Sequence, residues 1–365
     1  MSGPLGVLLI NLGTPDAPTS AAVRRYLREF LGDPRVIDLP ALPRTLLLEA
    51  AILPTRPRAS AAAYAKVWTD AGSPLLVHGQ ALASALQDEL GEAAVVRLGM
   101  RYGQPSLARA LRSLEEHGVR RVVALPLFPQ YSSAATGSAL DALFAEPAAG
   151  RLTQLEVVPP FFADPGFIDA WAAVSRPALD GFGPDFVLLS YHGLPERQIR
   201  AGDVSGAHCL ELDDCCEPLR GAGQHCYRAQ CFATSRAIVA ALGLETERTR
   251  TSFQSRLGRT PWIQPYTDFV LPELAEQGVR RLAVLCPAFV ADCLETVEEI
   301  GMRAQEQWAE VGGEELLLVP SLNAHPRWVE AVAALVRQSM ATDASTRSAA
   351  ATPDASASAT PTPAT

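Results

Sequence analysis

Three stretches of the sequence carry side chains whose types and spacing could do chemistry. The first is Ser190-Tyr191-His192-Gly193-Leu194-Pro195. A histidine followed by glycine and proline belongs in a tight loop, and an unperturbed imidazole is largely neutral near pH 7, ready to accept a proton or bind a metal. A satisfied loop histidine fits the same residues. The second runs from Cys286 to Glu299. Asp292, Glu295 and Glu299 share one stripe of a helix, and two unpaired acids four apart repel by about a few tenths of a kcal/mol. A divalent cation or transferable protons would offset that repulsion. A purely structural alternative has Asp292 as the helix cap and Glu295 closing a capping box. The third is Thr251 to Trp262, a strand running into a Gly/Pro loop. There Gln254 and Trp262 could wall a cleft or simply pack in a core.

A fourth feature is compositional. Of seven cysteines, Cys209, Cys215, Cys216, Cys226 and Cys231 crowd one short segment. In a cytosolic chain such a cluster points to metal or catalysis before disulfides. The paired C-x-x-C spacing of zinc ribbons is missing, so zinc and a redox disulfide stand behind other metal groups.

Something must position these residues. Short β-branched apolar runs alternate with helical patterns. Strands are expected at Leu5–Asn11, Val95–Met100, Arg121–Leu127 and Leu155–Pro160, then at Phe186–Tyr191, Arg250–Gln254, Leu282–Pro287 and Leu316–Pro320. Helices are expected at Ser20–Leu31, Gln80–Leu90, Ser106–His117, Ala229–Leu242, Leu294–Ala309 and Pro326–Met340. Continuous apolar strands separated by helices predict α/β lobes, each a doubly wound, Rossmann-like four-stranded parallel sheet. The break is expected near Phe161–Gly166, giving lobes over 1–161 and 162–340, with the cysteine-rich insert at 206–231. In such sheets ligands bind beyond the carboxyl ends of the strands, where both the His192 loop and the Cys286–Glu299 segment fall.

Two segments resist this scheme. Leu39–Arg58 is apolar, bounded by prolines and basic at its end. It reads either as a buried helix or as an apolar lip beside a cleft for a greasy ligand, resting on a membrane surface. The tail 341–365 is rich in Ala, Ser, Thr and Pro and is expected to be disordered. A chain of 365 residues, 48% hydrophobic, can bury large cores. A formal charge of −9 argues against a surface that tracks phosphates, so nucleic acid is not expected as a partner. The N-terminal apolar run is too short for a secretory h-region and lacks a basic flank, and no stretch is long enough to span a bilayer. The expected place is the cytoplasm, with at most peripheral membrane contact.

Taken together and in order, LLINLGTPD (Leu8–Asp16), GSP (Gly72–Pro74), RYG (Arg101–Gly103), LFPQYSSAATGS (Leu127–Ser138), SYHGLP (Ser190–Pro195), FQSRLGRTPWIQPYT (Phe253–Thr267) and CPAFVADCLETVEEI (Cys286–Ile300) resemble the ferrochelatase family over nearly the whole folded chain. The resemblance implies two lobes around a porphyrin cleft, with porphyrin and Fe²⁺ as substrates. Carried over by matching position, His192 is similar to the family's active-site histidine and Glu295 to its partner carboxylate across the cleft, with Glu299 and Asp292 continuing the acids. His192 and Glu295 are also the implied holders of the incoming iron. Arg101 and Tyr102 resemble cleft-lining residues; Tyr64, Ser73 and Arg56 match positions near the porphyrin propionates; Gln254 and Trp262 match the wall. Cys293 stands where relatives have histidine. The cysteine insert resembles a bacterial class that holds a [2Fe–2S] cluster, which implies Cys209, Cys215, Cys216 and Cys226 as ligands, with Cys231 as alternate.

The activity so implied is insertion of Fe²⁺ into protoporphyrin IX. Alternatives are a coproporphyrin III enzyme, which should carry more basic residues in its cleft, another type II chelatase working on a more polar ring, and a heme or iron–sulfur carrier without catalysis.

Overall fold

The computed structural model describes residues 3–217, 219, 221–256, 258 and 260–350. Its eight strands are β1 (Leu5–Thr14), β2 (Ala94–Gly103), β3 (Arg121–Pro126), β4 (Gln154–Val157), β5 (Phe186–His192), β6 (Thr249–Gln254), β7 (Arg281–Leu285) and β8 (Glu315–Leu318). All pair in parallel, in two sheets ordered β2-β1-β3-β4 and β6-β5-β7-β8. The continuous apolar runs become strands because both faces are covered. Val7, Leu8, Leu9 and Ile10 are all fully buried, Val7 and Leu9 in one core, Leu8 and Ile10 in another.

The helices in chain order are α1 (Ser20–Gly32), α2 (Ala41–Leu46), α3 (Arg56–Val67), α4 (Pro74–Leu90), α5 (Leu107–Glu116), α6 (Ser138–Ala145) and α7 (Pro165–Phe182) in the first part. Then come α8 (Glu196–Ala201), α9 (Tyr227–Leu242), α10 (Thr267–Glu276), α11 (Leu294–Val297), α12 (Gln305–Glu310) and α13 (Pro326–Ala350). The largest core joins the two sheets: Val7, Leu9 and Leu125 share it with Val187, Leu189 and Leu285, and with Trp171 of α7 and Trp328 of α13. The outer face of the first sheet packs on α5 and α6, that of the second on α10 and the α11–α12 segment.

Three expectations are corrected here. The expected break at Phe161–Gly166 lies in the connection between the sheets, but the last helix, assigned to the second lobe, returns to pack on α4, β3 and β4 of the first, with an ion pair between Arg337 and Glu89. Helix α13 also runs on to Ala350 through part of the expected tail, because alanine carries the helix onward; residues 351–365 lie outside the described residues. The helix expected over Leu294–Ala309 is broken by a π-helical turn at Glu299–Ala304, where Arg303 N–H donates to the Glu298 carbonyl. Such turns recur at functional sites.

The segment Leu39–Arg58 is not a buried helix. It forms α2 and a π-helical turn at Leu47–Ile52, with Leu48 and Leu53 buried but Leu42 71% and Leu46 60% exposed. Among the described residues no helix is long and apolar enough to cross a membrane.

Candidate active site

In each sheet the strand order reverses beside the first strand, and the crevice of such a fold opens at that reversal. In the second sheet it lies between β5 and β7. His192 closes β5 and Cys286–Cys293 follows β7, so topology alone brings two of the three chemical stretches together. The third enters by pairing, since His192 is opposite Gln254 in the β5–β6 ladder.

His192 is half-buried, its ring 6.4 Å from both the Trp262 and Phe289 rings between centroids. Its Nδ1 lies 2.6 Å from the Gly193 carbonyl oxygen. A carbonyl only accepts, so Nδ1 carries the hydrogen and a neutral ring keeps its Nε2 lone pair for a proton or a metal. The loop can turn here because residue 193 is glycine. A Cβ there would lie 2.9 Å from the Gln254 carbonyl oxygen and 3.3 Å from the Trp262 ring.

Gln254 is a brace. Almost fully buried, it accepts from Ser190 Oγ at 2.7 Å and donates from Nε2 to the Glu295 backbone carbonyl at 2.8 Å. It therefore fixes where α11 begins relative to His192. The acids on α11 then separate in role. Glu295 is half-buried and turned toward the first lobe. Burial, and then the Glu295 charge, push the Tyr64 hydroxyl well above its ordinary range, and Tyr26 is shifted the same way, first by burial and then by Tyr64 and Glu295. Glu299 accepts from Ser255 Oγ and lies 3.9 Å from Arg303. Glu298 is buried between Lys66 of α3 at 3.5 Å and Arg303 at 2.8 Å, tying α11 to the first lobe.

Asp292 departs from expectation. Its oxygens are occupied by Thr296 Oγ1 at 3.1 Å, the Ser321 N–H at 3.2 Å and Asn323 Nδ2 at 2.8 Å. With its carboxylate drawn toward β8's exit, it neither caps α11 nor continues the acid stripe. The cap is Cys293, closed by the Thr296 hydroxyl, which accepts from the Cys293 N–H at 3.0 Å.

In the first lobe the residues expected to line the cleft are largely structural. Tyr102 is fully buried, with its hydroxyl donating to Asp33 at 2.9 Å. Arg101 donates to Asp33 at 2.6 Å and to Ser138 Oγ at 2.6 Å. Burial would raise the Asp33 carboxyl, but donors from Ser138, the Arg35 backbone and Tyr102, with the Arg101 charge, hold it below the usual range. Ser73 is buried as the cap of α4, accepting from the Leu76 N–H. Tyr64 sits in the apolar cluster that also takes up Leu294 of α11. Arg56 is half-buried, and desolvation lowers its pKa; it has no ion pair among the described residues. Sequence reading missed Asp33, Ser138, Glu298 and Asn323. Only the Asp33-Pro34 step after α1 offers a signal, as a dipeptide that favours a turn. Leu257 and Arg259 of the wall motif lie outside the described residues.

The cysteine segment packs beside this site. Cys209, Cys215, Cys216 and Cys226 are buried as free thiols, with Cys215 and Cys216 sulfurs 3.9 Å apart. Burial, and then neighbouring Cys226, push the Cys209 thiol up to about 12. Burial likewise pushes Cys216 up to about 12, against the Arg228 charge. Two donors already face these sulfurs: the Leu210 N–H reaches Cys215 at 3.5 Å and Arg228 reaches Cys216 at 3.0 Å. Asp203 gathers the loop by accepting the N–H groups of Ser205, His208 and Cys209. Cys231 is fully buried one turn into α9. No group of three or more metal-ligating side chains is arranged to hold an ion among the described residues. Behind the His192 loop, between the lobes, lies a cavity of ≈ 340 Å³ bordered by Tyr131, Ser132, Leu194, Gln198, Cys226 and Tyr227.

The fold is that of the two-lobed α/β chelatases. The structure aligns with SirB from Bacillus subtilis with Fe³⁺ at a TM-score of 0.53 and 11% identity, covering 94% of this chain and 98% of that one. It aligns equally with the sirohydrochlorin chelatase SirB from Bacillus subtilis subspecies spizizenii in complex with cobalt, at 0.53 and 10%, covering 94% and 97%. The chain belongs to the ferrochelatase family, whose profile matches residues 4–340. It is 49% identical over 336 residues to a ferrochelatase of Coxiella burnetii, covering 92% of this chain and 94% of the relative. It is 48% identical over 335 residues to one of Legionella pneumophila, covering 91% and 98%. The protein is accordingly an enzyme that inserts iron into a porphyrin.

Proposed function

We propose that the porphyrin is protoporphyrin IX, that it enters between the His192 loop and α11, and that insertion of Fe²⁺ releases its two pyrrole protons and gives protoheme. The observation that carries this reading is the His192 tautomer: Nδ1 is tied to the Gly193 carbonyl, and Nε2 is left as an acceptor beside the aromatic faces of Trp262 and Phe289. A flat porphyrin presents its nitrogens poorly, so contacts that strengthen as the ring bends lower the barrier. His192 then takes a pyrrole proton or holds the metal, and Glu295 and Glu299 pass protons or iron from the other side. Asp292, fully engaged, is left out of this relay. Arg56 and the exposed Arg58 lie without ion pairs among the described residues, beside the apolar segment, and suit two propionates. A ring with four carboxylates would leave two of them unmatched.

The exposed leucines of Leu39–Leu47 support a peripheral membrane contact for a cytoplasmic protein handling an apolar ring. One anaerobic experiment tests both readings. Heme formation from Fe²⁺ should be at least about tenfold faster with protoporphyrin IX than with coproporphyrin III, a difference worth about 1.4 kcal/mol, and phospholipid vesicles should co-sediment the protein. Equal or reversed rates refute the substrate assignment; protein left in the supernatant refutes the contact.

The cysteine segment fits a [2Fe–2S] cluster by its chemistry: four buried thiols, two donors aimed at sulfur, and apolar walls. Cys209, Cys215, Cys216 and Cys226 would hold it, and Cys231, deeper in α9, would not. Such a cluster supplies one-electron chemistry, whereas metal insertion moves no net electron. Purified protein should contain iron and acid-labile sulfide in about equal amounts, lost in Cys209→Ser and kept in Cys231→Ser. Colourless protein holding zinc alone would exclude the cluster.

A further inference from the structure

The tautomer of His192 depends on how its ring sits relative to the Gly193 carbonyl; that carbonyl belongs to the following peptide unit, and the unit joining the two residues is the link that sets its place relative to the ring. Both polar ends of this unit are held. Its N–H donates to the Gln254 carbonyl at 2.7 Å. Its carbonyl oxygen, that of His192, accepts the hydroxyl of Tyr227 at 2.8 Å. Next to the second end, Leu194 and Tyr227 border the cavity behind the loop. With space on that side, removing the hydroxyl leaves the unit held at its N–H end alone and able to shift. A shift of this link changes ψ at His192 and φ at Gly193, moves the Gly193 carbonyl relative to Nδ1 and releases the ring to its other tautomer. Gln254 was expected from sequence; Tyr227 lies at the start of α9, directly after Cys226, and nothing in its spacing to His192 marks it.

We infer that Tyr227 is a positioning residue for metal insertion: its hydroxyl fixes the His192–Gly193 peptide and thereby keeps His192 Nε2 unprotonated toward the porphyrin. The inference rests on the reading of His192 as the proton acceptor or metal holder. It also gives the cysteine segment a direct line to the chemistry, since the residue that orients the imidazole is bonded to one of the clustered cysteines.

The test compares Tyr227→Phe with Tyr191→Phe, whose hydroxyl bonds Ser235 in the buried interior at 2.9 Å. Both lose one buried hydroxyl and keep the ring. In Tyr227→Phe, kcat for heme formation should fall about 10- to 100-fold with KM for porphyrin within about twofold, as displaced catalytic groups do. In Tyr191→Phe it should stay within about twofold of the parent. The second readout needs no turnover. With ¹⁵N-labelled histidine, the resonance absent from His192→Gln should report Nδ1–H in the parent protein and a mixture of tautomers in Tyr227→Phe. Nε2–H in the parent protein, an unchanged tautomer in Tyr227→Phe, or equal losses of kcat in both variants would overturn the assignment. A parent protein that shows Nδ1–H yet no chelation would instead overturn the function, leaving the hydrogen-bond logic standing.

Discussion

His192→Ala should lose about 10²- to 10⁴-fold in kcat for heme formation, the range of a missing general base, while the thermal midpoint hardly moves. The imidazole is half-buried, and among the described residues its only hydrogen bond is to the neighbouring Gly193 carbonyl, so its removal leaves no distant group there orphaned. The loss should fall on kcat rather than KM, since Trp262 and Phe289 still offer their faces to the ring. Steady-state rates over a range of porphyrin concentrations separate the two. A variant that chelates at the parental rate would remove His192 from the reaction and, with it, the significance of its tautomer.

Asp33→Ala should be the most destabilising single change near the site, by about 3–5 kcal/mol as for other broken buried charge pairs. One carboxylate there gathers Arg101, Tyr102, Ser138 and the backbone N–H of Arg35. Removing it leaves the Arg101 charge, 19% exposed, without its partner. Denaturant midpoints for Asp33→Ala against Arg101→Ala check this; the double variant should cost less than the sum, because the two groups stabilise each other. A loss below about 1 kcal/mol would reduce the network to ordinary surface chemistry. The acid limb has a definite sign. The Asp33 carboxyl is held below its ordinary value. Its stabilisation is therefore present above an unfolded value near about 3.9 and fades as pH falls below it. Asp33→Ala should flatten that part of the stability curve.

The strands were legible to within a few residues because each is an apolar run covered on both faces, as Val7 to Ile10 and Phe186 to Tyr191 illustrate. Helix α7 was not. It opens on Pro165-Gly166 and carries Pro177 inside, which read as an inter-lobe break rather than a buried helix. At the site, His192 and Glu295 could be proposed from type and position, and topology sets the strand end and the helix that carry them side by side. Their supports could not. Asp33 reaches Ser138, 105 residues away, and Asp292 reaches Asn323, 31 away, through pairings that only the folded chain brings about. Arg101 and Tyr102 are the instructive case: their ties to Asp33 and Ser138, which make them part of a rigid wall, are invisible in the motif.

Helix α13 has a consequence for how the protein is made. The first sheet is finished by residue 157, yet one of its faces is covered by α4 and by a helix that starts at Pro326. During synthesis from the N-terminus, that greasy surface has to wait from residue 157 to residue 326 before its cover begins to arrive. Cotranslational folding of the leading half as a finished unit, the usual course for domains, is thereby denied to this chain, and the closing stitch of both halves is the last helix among the described residues to leave the ribosome.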